Sequence, residues 1–179
     1  MTAKECIVGR RSIRQFSEQP VPHELISGIV ETAAFAPSWK NTQVTRYIAV
    51  EGEKKAALAK CTSLYARNGE IMNNAPMVIA VTIITGRSGF ERDGSFSTPK
   101  GTGWQSFDAG IASEAFCLAA HEQGLGTVIM GLFDEKEASE VLGLPEGTEL
   151  AALIPIGYPA ETPAAPRRKS VEDLLSFQS

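Results

Sequence analysis

The apolar positions of this chain recur with helical spacing in some stretches and form continuous runs in others. The pattern Thr2-Ala3-Lys4-Glu5 is that of a capping box and predicts a short helix over 3–9. Behind Pro22 the apolar residues fall at helical spacing, which predicts a second helix that ends before Pro37. Similar patterns predict further helices over 54–64 and 135–142.

The run Met77–Ile84 is rich in β-branched residues and is almost continuously apolar. Such a composition predicts a strand that is covered on both faces of a sheet. Shorter apolar runs predict strands over 47–50, 125–130 and 150–156. Residues 85–103 contain five glycines and form the one long loop that we predict. Ordered loops of this length are often lids or partner contacts.

The segment 104–123 is apolar on nearly every face of a helix. One stripe contains Phe107, Ile111 and Leu118, whereas Ala109 and Phe116 lie on another side. A helix of this kind is buried at the centre of a large protein or in an interface. Because the chain has only 179 residues, we predict that this helix lies in a dimer interface.

Composition and charge limit the classes of protein to consider. A chain of 179 residues with 43% hydrophobic and 21% charged residues predicts one globular domain over 1–179. The net charge of −4 and the few basic residues, which lack interleaved aromatics, speak against nucleic acid as a partner. We expect no membrane association, because no apolar run could span a bilayer. Three widely spaced cysteines, two histidines without metal-site spacing and no visible secretory signal favour reduced thiols, no metal and a cytoplasmic location.

Two clusters of basic residues are the first candidates for chemistry. Arg10-Arg11-Ser12-Ile13-Arg14 follows the first predicted helix, and Arg167-Arg168-Lys169 lies near the other end of the chain. Guanidinium groups bind phosphate oxygens in a bidentate way, so their density in an acidic protein indicates a phosphate ligand. Solvated turns paired with nearby acids are the alternative explanation for both clusters.

Two further segments offer polar groups or an accessible backbone. Pro37-Ser38-Trp39-Lys40-Asn41-Thr42-Gln43 carries two amides, each both donor and acceptor, which suits the edge of a flat heterocycle. The segment 124–131 begins Gly-Leu-Gly but is no dinucleotide fingerprint, because it follows a helix and enters a strand, the reverse of the required order. Its glycines are expected to end the long helix and to let the backbone of Met130 and Gly131 approach a ligand.

In this order along the chain, these segments resemble the nitroreductase family. The motifs that carry the resemblance are R-R-S-I-R-Q-F, A-P-S-W-K-N-T-Q, H-E-Q-G-L-G-T-V-I-M-G, I-P-I-G-Y-P and R-R-K-S-V-E-D-L, and they extend over essentially the whole chain. The resemblance implies an α+β fold with a central, mostly antiparallel sheet flanked by helices. It also implies an intertwined homodimer with FMN bound at the subunit interface.

The resemblance assigns the phosphate of FMN to residues at both ends of the chain. Arg10 and Arg168 would hold the phosphate. Arg167 would assist them, because Pro166 stands where the family often has a basic residue. Ser12 would contact the ribityl chain or the phosphate.

The resemblance also implies contacts to the flavin ring. Arg11 would approach the pyrimidine side, and Arg14 would lie near N1 and the C2 carbonyl, where positive charge raises the reduction potential. The backbone of Met130 and Gly131 would face N5. The contacts from the partner subunit would be Pro37, Ser38, Asn41 and Gln43.

The activity implied is that of an NAD(P)H-dependent flavin oxidoreductase. NAD(P)H and then an electron-poor acceptor, such as a nitroaromatic or a quinone, would occupy the same site in a ping-pong mechanism that needs no catalytic side chain. Because the chain is shorter than many family members, the 85–103 loop would cover the site. Three alternatives remain: an oxidase, dehydrogenase or flavin-destructase of the same fold; a non-enzymatic FMN-binding or sensing protein; and a protein that binds another phosphorylated ligand.

Overall fold

The computed structural model describes residues 1–178, with the side chain of Leu64 excepted. The α-helices in this part of the chain are α1 (Ala3–Gly9), α2 (His23–Ala33), α3 (Gly52–Lys60), α4 (Ala66–Asn74), α5 (Gly103–Glu122), α6 (Glu135–Leu142) and α7 (Val171–Leu174). The strands are β1 (Thr45–Val50), β2 (Met77–Ile84), β3 (Gly126–Thr127) and β4 (Thr148–Gly157). Short 3-10 helices span Trp39–Asn41 and Ser63–Tyr65.

The four strands form one antiparallel sheet in the order β1-β2-β4-β3. Thr45 lies opposite Ile83, Met77 opposite Ile156, and Gly126 opposite Gly157. Helices cover both faces of the sheet, so the predicted α+β fold with a central antiparallel sheet is confirmed.

The side chains of β2 alternate between two separate cores. Val78 and Ala80 pack with residues of α3, α4 and α6, whereas Ile79 and Val81 pack with residues of α2 and α5. Successive side chains of a strand point to opposite faces, and here both faces are covered. This arrangement explains why β2 is continuously apolar, and it confirms the prediction for this strand.

The long helix α5 is also confirmed, with each end one residue earlier than predicted. Phe116 is fully buried and stacks on Tyr47, with ring centroids 5.3 Å apart. By contrast, Phe107 is 55% exposed. The inner face of α5 is therefore covered by its own chain, and the location of the outer face in a dimer interface stays a prediction.

Two predicted elements are wrong in extent. The helix predicted over 54–64 ends at Lys60, and α4, which was not predicted, follows it. Helix α4 contains glycine and several asparagines, which are weak helix formers. It depends on tertiary packing instead: a Cβ on Gly69 would lie 2.8 Å from the Ala59 carbonyl oxygen, so the two helices are in close contact.

The strand predicted over 125–130 is reduced to the two residues of β3. Val128 donates its N–H to the Pro155 carbonyl at 3.4 Å, but Pro155 has no N–H with which to donate in return. The pairing therefore lapses and resumes at Met130, which forms an isolated bridge with Leu153.

The C-terminal segment leaves the body of the chain after β4. Residues 164–178 are all exposed, including Leu174 at 71% and Phe177 at 91%. Exposed apolar side chains on an extended segment are typical of an arm that binds another surface.

None of the helices within residues 1–178 combines the length and the apolar character needed to cross a bilayer.

The contact between Gly126 and the N-terminal segment generates a stability prediction. A Cβ on Gly126 would lie 2.6 Å from Cγ1 of Ile13, whereas a Cβ on Gly28, in α2, would meet nothing within 4 Å. Gly126→Ala should lower the free energy of unfolding by about 1–3 kcal/mol through overpacking. As the matched control, Gly28→Ala should raise it by up to about 1 kcal/mol through helix propensity. Urea denaturation measures both, and a Gly126→Ala midpoint equal to that of the wild type would contradict the prediction.

Candidate active site

The N-terminal arginine cluster lies against the edge strand β3. Ser12 forms a parallel bridge with Thr127, and the Ile13 N–H donates to the Thr127 carbonyl at 2.9 Å. The backbone from Arg10 to Arg14 is therefore held on the sheet, although Arg14 itself is exposed. This pairing fixes the backbone positions from which the three arginine side chains extend.

The side chain of Arg11 forms hydrogen bonds at the C-terminal end of α1. Its Nη1 donates to the carbonyls of Val8 at 2.7 Å, Gly9 at 3.1 Å and Arg10 at 2.8 Å. These are the carbonyls that the end of α1 leaves without a partner, and a cation is favoured there by the helix dipole. Among the described residues, Nε and Nη2 of Arg11 form no hydrogen bond.

The guanidinium group of Arg10 has fewer polar contacts. Its Nε lies 3.6 Å from Oε1 of Glu114, and this Nε is buried without a hydrogen-bond partner among the described residues. Buried polar groups are normally hydrogen-bonded, so an orphaned guanidinium nitrogen points to a missing acceptor.

The positive charge of this cluster acts on His121, at the end of α5. Burial lowers the pKa of His121 below its ordinary value, and the charges of Arg10 and Arg11 lower it further. Like charges disfavour the protonated imidazole. The pKa of His121 therefore responds to the positive charge of Arg10 and Arg11.

Arg14 lines a cavity of about 420 Å³ together with the segment that follows β3. Met130 and Gly131 form one wall, so the structure brings together three of the predicted site residues. The other lining residues are Tyr65, Arg67, Asn68, Ile71, Val128, Ile129 and Leu132, and none of them is acidic. With two arginines and no carboxylate, the cavity favours electron-rich or anionic ligands.

Tyr65, Arg67 and Asn68 were missed by sequence reasoning because α4 was not predicted. Asn68 is 8% exposed, and its Nδ2 donates to the Leu132 carbonyl at 3.2 Å, which ties α4 to the cavity wall. The signal that could have found this helix is the apolar spacing of Ile71, Met72 and Ala75.

The predicted polar segment after α2 lines a different cavity, of about 320 Å³. Pro37, Ser38 and Gln43 contribute to its wall, but Asn41 does not. Its floor is apolar and includes residues of α2, and Asp108 and Arg46 add charged groups. Within one chain, this segment and Arg14 therefore face separate cavities.

The backbone of this segment is strained. Lys40, Asn41 and Gln43 have φ values of 44°, 56° and 47°, in the left-handed region that non-glycine residues avoid. Each such residue costs about 1–2 kcal/mol. Backbone strain of this kind is concentrated at functional sites, where the surrounding structure holds it in place.

Polar contacts within the strained segment and to two neighbouring elements stabilise it. The Trp39 N–H donates to both carboxylate oxygens of Asp108 at 3.1 Å, and the Gln43 N–H donates to Ser38 Oγ at 2.9 Å. Lys40 forms an exposed ion pair with Glu91 at 2.9 Å. Sequence reasoning missed Asp108, for which the available signal was a carboxylate directly flanked by the apolar residues Phe107 and Ala109.

The 85–103 loop adjoins the same segment. Trp39 and Trp104 pack with ring centroids 4.5 Å apart, and Trp104 Nε1 donates to Thr98 Oγ1 at 2.8 Å. The Lys40–Glu91 pair joins the loop directly to the polar segment, and Trp104, at the start of α5, contacts both of them. The role of the loop as a cover stays a prediction.

The second basic cluster is not brought to the first within one chain. Arg167 and Arg168 line a surface cavity with Lys169, Ser170 and Asp173 on the exposed C-terminal arm. The predicted site residues thus form three groups, centred on Arg14, on Ser38 and on Arg168. No group of three or more potential metal ligands occurs among residues 1–178.

The fold and its cavities define the class: an antiparallel α+β protein with an arginine-lined cavity beside its edge strand. The sequence matches the model of the nitroreductase family over residues 7–64 and 59–158. A candidate NADH dehydrogenase/NAD(P)H nitroreductase of Methanothermobacter thermautotrophicus is 32% identical, over 91% of this chain and 80% of the relative. The chain belongs to the nitroreductase family.

Other relatives agree with this assignment. An FMN reductase [NAD(P)H] of Bacillus subtilis is 29% identical, over 88% of this chain and 66% of the relative. A crystal structure of a nitroreductase family protein from Streptococcus pneumoniae has the same fold, with a TM-score of 0.88, 24% identity and coverage of 99% of this chain and 100% of that one. The predicted enzyme class, a nitroreductase-like NAD(P)H-dependent flavin oxidoreductase, is confirmed by this kinship.

The lowered pKa of His121 can be used to test whether the arginine cluster binds a phosphate. An anionic phosphate bound beside Arg10 and Arg11 should raise the pKa of His121, because negative charge offsets the effect that lowers it. NMR titration of the two histidines with and without FMN measures this shift. His23, which is paired with Glu51 at 2.8 Å, is the internal control and should keep its pKa. Bound FMN with an unchanged His121 pKa would place the phosphate elsewhere.

Proposed function

We propose that this chain is an FMN-dependent oxidoreductase that transfers hydride from NAD(P)H to an electron-poor acceptor such as a nitroaromatic or a quinone. The observation that carries the proposal is the acid-free cavity that Arg14 shares with Met130 and Gly131. The name of the Bacillus subtilis relative, an FMN reductase, supports FMN as the cofactor. In this proposal residues 1–179 form one FMN-binding domain.

The residues present fit FMN chemically. The orphaned Nε of Arg10 and the free nitrogens of Arg11 suit a phosphate, and Ser12 supplies a hydroxyl for the phosphate or the ribityl chain. The N–H and carbonyl of Met130 both pair with Leu153, so Gly131 offers the backbone N–H for the ring. A Cβ on Gly131 would meet nothing within 4 Å, which leaves space beside its backbone.

We further propose that the enzyme is a homodimer and that the sites are shared between subunits. The 37–43 segment and Arg14 line separate cavities in one chain, so Pro37, Ser38, Asn41 and Gln43 would complete the site of the partner. The exposed arm carries Arg167 and Arg168 to a phosphate with Arg10. Exposed apolar side chains available for the interface are Ile7, Val8, Phe35, Phe107, Leu174 and Phe177.

When bound, FMN supplies the hydride chemistry at its N5 atom. Arg14 favours added negative charge at the pyrimidine edge and so raises the reduction potential. NAD(P)H and the acceptor bind one after the other in the same cavity, against the wall formed by Tyr65, Arg67 and Leu132. Because the first leaves before the second binds, the kinetics are ping-pong. The protein contributes orientation and charge, and no side chain has to act as an acid or a base.

The absorbance spectrum of the protein after incubation with FMN and desalting tests this function. We expect retained flavin absorbance that bleaches with NADH or NADPH and returns when a nitroaromatic or a quinone is added. Retained flavin that resists both nicotinamides would favour a binding or sensing protein. Protein that retains no flavin would favour another phosphorylated ligand for the arginines.

Shared sites predict complementation between two inactive variants. Arg14→Glu reverses the charge beside the ring, and Ser38→Tyr fills the contact expected from the partner. Coexpression should restore about a quarter of the wild-type activity, because half of the dimers are mixed and each of these has one intact site. The two homodimers, checked for folding by circular dichroism, are the controls. Recovery no greater than their sum would contradict a shared site.

A further inference from the structure

Helix α5 carries a buried carboxylate whose presence helix stability does not explain. Asp108 is 3% exposed and forms no ion pair with a described residue. It lies beyond the first turn of α5, where the helix dipole no longer favours an acid. Burying a carboxylate is costly unless it is well paired, so a role outside the helix has to account for it.

The contact of Asp108 leads to the strained turn formed by residues 38–43. Both carboxylate oxygens lie 3.1 Å from the backbone nitrogen of Trp39, which opens the turn. A hydrogen bond to a charged acceptor is stronger than one to a neutral acceptor. Only the backbone of Trp39 takes part in this hydrogen bond, so Asp108 constrains the backbone conformation of the turn.

The other contacts of the turn differ from this one in burial or in position. Arg46 Nη1 donates to the Gln43 carbonyl at 2.6 Å, but this hydrogen bond is exposed and lies at the far end of the turn. The hydrogen bond from the Gln43 N–H to Ser38 Oγ is internal to the turn and does not tie it to the fold. The Lys40–Glu91 pair does, but its side chains are 55% and 48% exposed, so solvent screens it. Trp39 packs on Trp104 at an interplanar angle of 46°, between the stacked and edge-to-face arrangements that aromatic pairs prefer. Asp108 is the buried, directional contact between this turn and α5.

We propose that Asp108 is a positioning residue that holds the 38–43 turn in the conformation in which Ser38, Asn41 and Gln43 contact FMN. This inference rests on the proposed function, because it takes FMN as the ligand of the turn. The three left-handed residues orient the side chains of Asn41 and Gln43. Without the anchor at Trp39 the turn relaxes to less strained backbone conformations, and the donors that meet FMN disperse.

The main experiment compares Asp108→Asn and Asp108→Leu with the wild type. Asparagine keeps the shape and one acceptor oxygen but loses the charge, whereas leucine removes the acceptor. The Kd for FMN, measured by quenching of flavin fluorescence, should rise by about tenfold in Asp108→Asn and by more in Asp108→Leu. In the protein without FMN, hydrogen exchange at the Trp39 amide should accelerate in both variants.

A matched control separates positioning from general loss of stability. Gln105 lies in the same helix, is 2% exposed, and accepts the Gly86 N–H at 2.7 Å through its Oε1. Gln105→Leu therefore removes a similar buried contact, made to Gly86 at the start of the 85–103 loop and not to the 38–43 turn. It should lower the free energy of unfolding but leave the Kd for FMN and the exchange of the Trp39 amide unchanged.

Rescue provides a second criterion. Lys40 has φ 44°, a conformation that glycine adopts without strain. Lys40→Gly introduced into Asp108→Asn should restore part of the lost FMN affinity, because the turn then needs less anchoring. A residue that acts only through stability would show no such rescue.

Each outcome decides between the possibilities. Wild-type binding of FMN with an unchanged Kd in both Asp108 variants overturns the positioning role and leaves the proposed function intact. An equal loss of FMN affinity in Gln105→Leu also overturns it. Wild-type protein that binds no FMN overturns both proposals. If neither Asp108 variant folds, rapid exchange of the Trp39 amide in the wild type overturns the inference, and protection supports it.

Discussion

The close approach of β3 to its two neighbours is the constraint on which the candidate site depends. Gly126 faces Gly157 across the sheet, and a Cβ on either glycine would lie 2.6 Å from a neighbouring side chain, that of Ile13 or of Pro76. The absence of a side chain at Gly126 lets the N-terminal segment pair with the edge of the sheet. Ser12 then bridges to Thr127, and Arg14 reaches the cavity wall that Met130 and Gly131 form.

Positive charge is concentrated around the edge of the sheet that β3 forms. Arg10 and Arg11 lie close enough to depress the pKa of His121, while Glu114 offsets only part of their charge. Arg14 and Arg67 face a cavity without an acidic residue. A protein with a net charge of −4 thus gathers several arginines in one region, while Glu70 and Glu161 line a second cavity that Arg14 and Arg67 also line. Such an arrangement is typical of a site for an anionic ligand.

Backbone strain marks the second half of the site. Three residues of the 38–43 turn have unfavourable backbone conformations, and a buried carboxylate on a neighbouring helix binds the backbone N–H of its second residue, Trp39. The 85–103 loop contacts the same turn through the Lys40–Glu91 ion pair, and Trp104, at the start of α5, packs on Trp39. The loop and Asp108 therefore contact the turn at different points, at Lys40 and at the backbone of Trp39.

Much of the fold was accessible from the sequence because its signals are local. Hydrophobic periodicity identified α2, α5, α6 and β2, and the capping-box pattern identified α1. Helix α4 escaped because its composition disfavours a helix, which forms only through contacts such as that between Gly69 and Ala59. The shortened β3 escaped for a related reason, since Pro155, which interrupts its pairing, lies on another strand.

For the site, the sequence by itself determined which chemical groups are present: guanidinium groups at both ends, a polar segment after α2 and glycines beside β3. Only the tertiary structure decided that Arg14 shares a cavity with Gly131 and Arg67, and that Ser38 faces a different one. Likewise, the contact of Asp108 with Trp39 joins residues that are 69 positions apart. Local propensity carries no information about such pairs, because they are created when distant segments pack against one sheet.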